Sequence, residues 1–242
     1  IHVDYERAGY SRSLDKDCYR KFDRIFTVSD EVKQSFLNVY PECSGRTYVF
    51  HNLINQEEIR RKAELPGGFE DSYDGKRILT VGRLTAQKAY EFSIDAMKLL
   101  KDHGVKARWY VLGEGELREK LQFKINKLGL KDDFILMGAR ENPFPYYKEC
   151  DLYVHASRFE GKSIAIQEAQ TLGCTLVVSD CSGNREQVEP GVDGMMCRLD
   201  AKEICDTVEA LLKDEEKCRK LGKKAAEKSF LEDKDVLKPF DF

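Results

Sequence analysis

From Lys76 onward, short runs of β-branched and aromatic residues alternate with longer amphipathic stretches, and few folds accept that rhythm. Strands separated by helix-length segments pair in parallel, with the helices covering the sheet. The strand runs are 77–81, 107–112, 133–137, 151–155, 175–179 and 194–198. Helices are expected near 86–103, 115–129, 143–149, 163–172, 184–188, 201–213 and 215–230. The expected fold class is therefore α/β, a doubly wound parallel sheet of Rossmann type. Before it stands a single β-α-β unit: a strand at 22–28, a helix capped by Ser29 with Asp30 and Glu31 in its first turn, and a strand at 46–50. Such a unit is too small to be a domain. The turn residues of 64–72, Pro66-Gly67-Gly68 among them, read as a linker. The expected division is 1–66 and 67–242. The opening Ile-His-Val-Asp, without methionine, reads like the middle of a longer polypeptide.

Composition narrows the function. Forty basic against forty-three acidic residues give no field that would draw nucleic acid, and a nucleic-acid partner is not expected. No apolar run approaches the roughly 20 residues of a membrane span. The eight cysteines are dispersed with no Cys-x-x-Cys pair, as in a cytoplasmic protein with reduced thiols. The four histidines lack ligand spacing, so no metal site is expected.

Ligands of an open parallel sheet bind beyond the carboxyl ends of its strands, so the residues following each strand carry the chemistry. The first strand ends in Gly82-Arg83, with Lys88 five residues on. Two cations beside a helix start suit a diphosphate, the forked guanidinium and the ammonium sharing its charge; taken singly they read equally as exposed loop cations. Gly113-x-Gly115 follows the second strand and lets backbone approach a ligand, but Arg118 replaces the third glycine of a dinucleotide fingerprint. The next strand ends in Met137-Gly138 without the acidic residue a nicotinamide cofactor needs, which disfavours a dehydrogenase. Two glutamates, Glu160 and Glu168, stand eight positions apart. On a helix from Ser163 to Leu172, Ile164, Ala165, Ala169 and Leu172 share one arc, and Gln167, Gln170 and Thr171 face away from it. Glu168 falls inside the apolar arc, where a carboxylate needs a partner. Either its head reaches water at the arc's margin, or it accepts from a pair of vicinal hydroxyls such as a ribose diol.

Jointly these residues resemble the nucleotide-binding C-terminal half of a retaining GT-B glycosyltransferase of family four. The matching segments are Val81-Gly82-Arg83-Leu84 with Lys88, Leu112-Gly113-Glu114-Gly115, Glu160-Gly161 through Glu168-Ala169, and Gly183-x-x-Glu186 followed by Gly191-x-x-Gly194. They cover residues 76 to about 230. The resemblance implies metal-independent transfer of a sugar, with retention, from a nucleotide diphosphate donor, UDP by analogy with surface-polysaccharide enzymes of bacterial type, to a lipid-linked or polysaccharide acceptor. No cofactor is implied. It gives Arg83, Lys88 and Glu160 catalytic roles: the two cations on the departing diphosphate, the glutamate on donor-sugar hydroxyls. Gly82, Gly113, Gly115, Gly161, Lys162, Ser163, Ile164 and Glu168 become donor-binding residues, Glu168 holding the ribose.

Two positions depart from the family pattern. Ala89 stands where glycine usually follows the lysine, and Lys162-Ser163 occupies a turn that usually holds a small residue or proline. Residues 1–65 resemble only the last strand-helix-strand of the acceptor-binding domain, ending in His51-Asn52. This chain is thus expected to bind donor without transferring sugar, to self-associate through the faces of that remnant, and to be cytoplasmic with at most peripheral contact at the inner membrane face. The competing readings are a non-catalytic nucleotide-sugar-binding module and a GT-B sugar-nucleotide epimerase.

Overall fold

The computed structural model of the chain describes residues 18–230. The opening residues, on which the reading of a longer polypeptide rests, lie outside the described residues, as do the outer ends of the two expected domains.

Strands β1 (Ile25–Thr27) and β2 (Thr47–Val49) form a parallel two-stranded sheet around helix α1 (Asp30–Val39). Ser29 caps α1, its Oγ accepting from the Val32 amide at 3.2 Å. Then come α2 (Gln56–Ala63), β3 (Lys76–Val81), α3 (Tyr90–Asp102), β4 (Ala107–Leu112), α4 (Arg118–Lys127), β5 (Phe134–Gly138), α5 (Phe144–Glu149) and β6 (Leu152–His155). The series closes with α6 (Ile164–Thr171), β7 (Leu176–Ser179), α7 (Ser182–Arg185), β8 (Met195–Cys197), α8 (Ala201–Leu212) and α9 (Glu215–Ala226). The six strands from β3 onward make one all-parallel sheet in the order β5-β4-β3-β6-β7-β8. The doubly wound sheet is as expected. Its order reverses between β3 and β6, which opens a crevice at their carboxyl ends.

Both faces of the sheet are covered, so its strands are apolar in consecutive positions. Ile78, Trp109, Val111, Leu152 and Val154 point into the core beneath α3, α4 and α8, while Leu79, Tyr110, Leu112, Tyr153 and Leu176 point towards α5 and α6. One polar chain threads this core: Trp109 Nε1–H donates to Thr80 Oγ1 at 2.9 Å, and that hydroxyl donates to the Val154 carbonyl at 2.7 Å.

Three features differ from expectation. Helix α2 lies where the sequence suggested only the approach to a linker. Asn55 caps it, and it packs on α5 and α6, with Asn142 Nδ2–H donating to the Lys62 carbonyl. The helix expected over 86–103 is broken at Ala89, which takes a left-handed conformation (φ 47°, ψ 34°) between a 3-10 turn at Ala86–Lys88 and α3. The side of α6 read as polar is buried: Gln167, Gln170 and Thr171 are almost wholly covered, whereas Ile164 is 48% exposed. The reason is a second packing layer. Gln56 Nε2–H reaches the Thr171 hydroxyl, and Gln170 Nε2–H donates to the Gln187 carbonyl. Amides that looked solvent-facing serve as packing groups.

The β1-α1-β2 unit sits on the crevice side of the large sheet. Ser29 Oγ–H donates to the Gly161 carbonyl at 3.4 Å, the Glu31 amide to Glu186 Oε1 at 2.6 Å, and Asn52 Nδ2–H to the Lys162 carbonyl at 3.0 Å. All eight cysteines are free thiols, and among the described residues no helix is long and apolar enough to cross a membrane.

Candidate functional site at the strand crossover

Two loops meet where β3 and β6 diverge. The first, after β3, carries Gly82, Arg83 and Lys88; the second, after β6, carries Ser157, Glu160, Gly161 and Ser163. Glycines let the backbones close in. A Cβ on Gly113 would overlap the Gly82 carbonyl, and one on Gly115 would overlap Leu84 backbone, so the loops after β3 and β4 touch main chain to main chain. Gly113 also has φ 149°, which L side chains rarely adopt. A Cβ on Gly183 would strike the carbonyls of Glu160 and Gly161, so α7 presses directly on the glutamate turn.

Glu160 is buried at the centre of this crevice, 5% exposed. Its Oε1 receives Lys88 Nζ at 2.6 Å, Ser157 Oγ at 2.5 Å and His155 Nε2 at 3.0 Å. Burial pushes its carboxyl pKa up, but the His155 hydrogen bond and the Lys88 charge outweigh that and hold it below the ordinary carboxylate value. Glu160 is an ionised, acceptor-only group. His155 is itself driven towards neutrality, first by burial and then by the Lys88 charge. Behind it, the Tyr153 hydroxyl lies 3.0 Å from His155 Nδ1.

Arg83 is exposed, and its guanidinium has no hydrogen-bond or ion-pair partner among the described residues. Lys88 folds back over the position a Gly82 side chain would take. Of the two expected cations, one is thus free and one is held by Glu160.

Glu168 is half-buried on α6. Tyr147 donates its hydroxyl to Glu168 Oε2 at 3.1 Å, and burial, partly offset by that bond, raises the carboxyl pKa from 4.5 to about 7. Ser163 stands at the N-cap position of α6 without a side-chain cap bond, and Ile164 opens the helix. Lys162 Nζ lies 3.1 Å from His51 Nδ1, and burial lowers the lysine pKa. This side chain therefore points to the β1-α1-β2 unit, and only its backbone belongs to the glutamate turn.

Sequence reasoning did not single out Ser157, His155, Tyr153 or Tyr147 as site residues. A signal was present. Tyr153 and His155 alternate on one face of a strand buried along its length, where polar tips need partners. No metal centre was expected; among the described residues one group, His103, Cys205 and Glu209, brings its ligand atoms within 4.8 Å of one another. It joins the end of α3 to α8, and there His103 Nδ1 and Glu209 Oε2 are hydrogen-bonded at 2.6 Å while Lys213 holds the other carboxylate oxygen.

Residues 56–228 match the model of a protein family described as Glycosyl transferases group 1. An uncharacterized glycosyltransferase from Methanocaldococcus jannaschii is 30% identical over 196 residues, which cover 77% of this chain and 48% of that protein. The Campylobacter jejuni N-acetylgalactosamine-N,N'-diacetylbacillosaminyl-diphospho-undecaprenol 4-alpha-N-acetylgalactosaminyltransferase is 29% identical over 210 residues, covering 86% and 55%. The chain therefore spans about half the length of these relatives. Among solved structures, Anabaena HepE in complex with UDP and glucose shares the fold with a TM-score of 0.75 at 19% identity, over 89% of this chain and 60% of that one.

Proposed function

The chain belongs to the glycosyl transferases group 1 family, and on that premise we propose that it is the donor-binding half of a retaining, metal-independent enzyme that transfers a hexosyl unit from a UDP-sugar to a lipid-linked or polysaccharide acceptor. The observation that carries the reading is the buried, ionised Glu160 facing Lys88 across the strand crossover, with the free Arg83 on the same loop as Lys88.

In this reading the diphosphate lies over Gly82 and the amides of Lys162, Ser163 and Ile164 at the start of α6. Arg83 and Lys88 take up the negative charge that grows on the diphosphate as the sugar leaves, the role a metal ion fills elsewhere. Glu160 receives sugar hydroxyls, and Glu168 accepts from the ribose diol. Gly113 and Gly115 keep the floor of the crevice free of side chains. Residues 1–66 contribute the edge of an acceptor domain and 67–242 the donor domain, in a cytoplasmic protein meeting its acceptor peripherally at the membrane face.

Saturation-transfer NMR with UDP-sugars tests the assignment. Saturation on the ribose and anomeric protons, lost in Glu168→Ala, supports it; none in the parent chain argues against it. Incubation with UDP-sugars and a polyprenyl-diphosphate-linked sugar is expected to give no glycoside with this chain alone.

A further inference from the structure

His155 is 1% exposed and sits between two groups whose protonation is settled by their surroundings. In front of it, Glu160 is ionised and can only accept, so the 3.0 Å contact from Nε2 to Oε1 requires a hydrogen on Nε2. Behind it, Tyr153 is wholly buried and keeps its proton. Its hydroxyl is 3.0 Å from Nδ1 and 3.5 Å from its other acceptor, the Val81 carbonyl, so it donates to Nδ1. The Lys88 ammonium, 3.2 Å from Nε2, opposes a second positive charge on the ring. The Glu160 and Tyr153 contacts together favour a neutral imidazole protonated at Nε2, against the Lys88 ammonium, which can only donate and would bond a bare Nε2.

Lys88 has two claims on it. It bonds Glu160, while the proposed mechanism needs it on the diphosphate. Withdrawing it takes a cation from a buried carboxylate, which is costly unless other donors remain. His155 and Ser157 both remain on Oε1, and Oε2, approached only by the Gln87 amide at 3.4 Å among the described residues, is left to meet a sugar hydroxyl. We propose that His155 is a positioning residue for the donor sugar, holding Glu160 in its productive orientation as Lys88 passes from the carboxylate to the diphosphate. This deepens the donor-site reading and rests on it. The same array reaches further, because the Tyr147 ring packs 5.2 Å from that of Tyr153 and its hydroxyl bonds Glu168. Three side chains thus connect the two glutamates.

The first test needs no ligand. With four histidines in the chain, imidazole 15N spectra assigned through His155→Gln report each ring's tautomer. The expected result is Nε2–H with bare Nδ1, unchanged from about pH 7 to 8. An Nδ1–H tautomer, or titration in that range, would overturn the proposal. The second test compares dissociation constants for UDP against UDP-glucose and UDP-N-acetylgalactosamine. The parent chain should prefer a sugar nucleotide. His155→Leu should bring the ratio near one while UDP affinity stays within about threefold. His155→Gln, whose amide can donate to Glu160 and accept from Tyr153, should restore most of the preference. An unchanged ratio in His155→Leu would overturn the positioning role alone. Absence of any preference in the parent, or an unchanged ratio in Glu160→Gln, would instead remove the donor-site reading and the proposal with it.

Discussion

Lys88 Nζ lies 2.6 Å from Glu160 Oε1, with both side chains largely shielded from water. A nucleotide diphosphate must compete with Glu160 for this cation. The pair therefore has opposite consequences when broken from either end. Lys88→Met removes a phosphate partner and should weaken UDP binding at least tenfold, about 1.4 kcal/mol or more. Glu160→Gln releases Lys88 and should leave UDP binding equal or tighter while weakening UDP-sugar binding. Titration of both variants checks the pairing, and parallel losses of UDP affinity would contradict it.

Glu168 makes both stability and donor binding depend on pH. Its folded-state pKa, about 7, lies above the ordinary 4.5, so between these values the folded chain holds more protons than the unfolded one. Stability should fall as pH rises through that window and level off above it. Ribose hydroxyls donate to the ionised form, so UDP affinity should move the other way, rising up to about pH 7 with proton uptake by the buffer. Glu160, held below its ordinary range, does not titrate there, and His155, its pKa lowered by burial, is already neutral at the top of the window. Calorimetry in buffers of differing ionisation enthalpy measures the proton release, which Glu168→Gln should abolish.

Gly113→Ala places a methyl group against the Gly82 carbonyl at a φ of 149°. Both loops must then part at the proposed diphosphate site. Destabilisation of about 3 kcal/mol or more is expected, since strained backbone and overpacking each cost about 1–3 kcal/mol. Urea denaturation measures it; a loss below about 1 kcal/mol would show the two loops to be more yielding than their contact implies.

Ala89 is the one non-glycine residue with positive φ among the described residues, and it is fully buried. Relief of left-handed strain in Ala89→Gly is offset by lost unfolded-state restriction and a lost buried methyl, each about 1 kcal/mol. Stability should stay within about 1 kcal/mol of the parent. Ala89→Val should cost about 2–3 kcal/mol, because a branched Cβ is far less tolerant of that conformation. Thermal melts of the pair separate backbone strain from packing.

Most of the fold could be read in advance because parallel strands covered on both faces have a plain signature, and all six strands from β3 to β8 lie where the apolar runs fall. What escaped was set by long-range packing. The amides of Gln167 and Gln170 looked solvent-facing because helical periodicity cannot reveal a second layer, supplied here by α2 and α7. The bend at Ala89 carries no turn residue to mark it. At the site, Arg83, Lys88 and the two glutamates stood out by charge. His155, Tyr153 and Tyr147 did not, since a strand of Leu-Tyr-Val-His and an aromatic pair on α5 read first as core, and only the contacts of His155 with Glu160 and of Tyr147 with Glu168 give those polar tips a purpose.

The crevice between β3 and β6 is proposed to bind a nucleoside diphosphate. Calorimetric titration of the chain with UDP, GDP and ADP, repeated on Arg83→Ala and Glu168→Ala, tests it most directly. One-to-one binding that favours UDP and is weakened in both variants is expected. Binding of none of the three, or affinity indifferent to both substitutions, would contradict it.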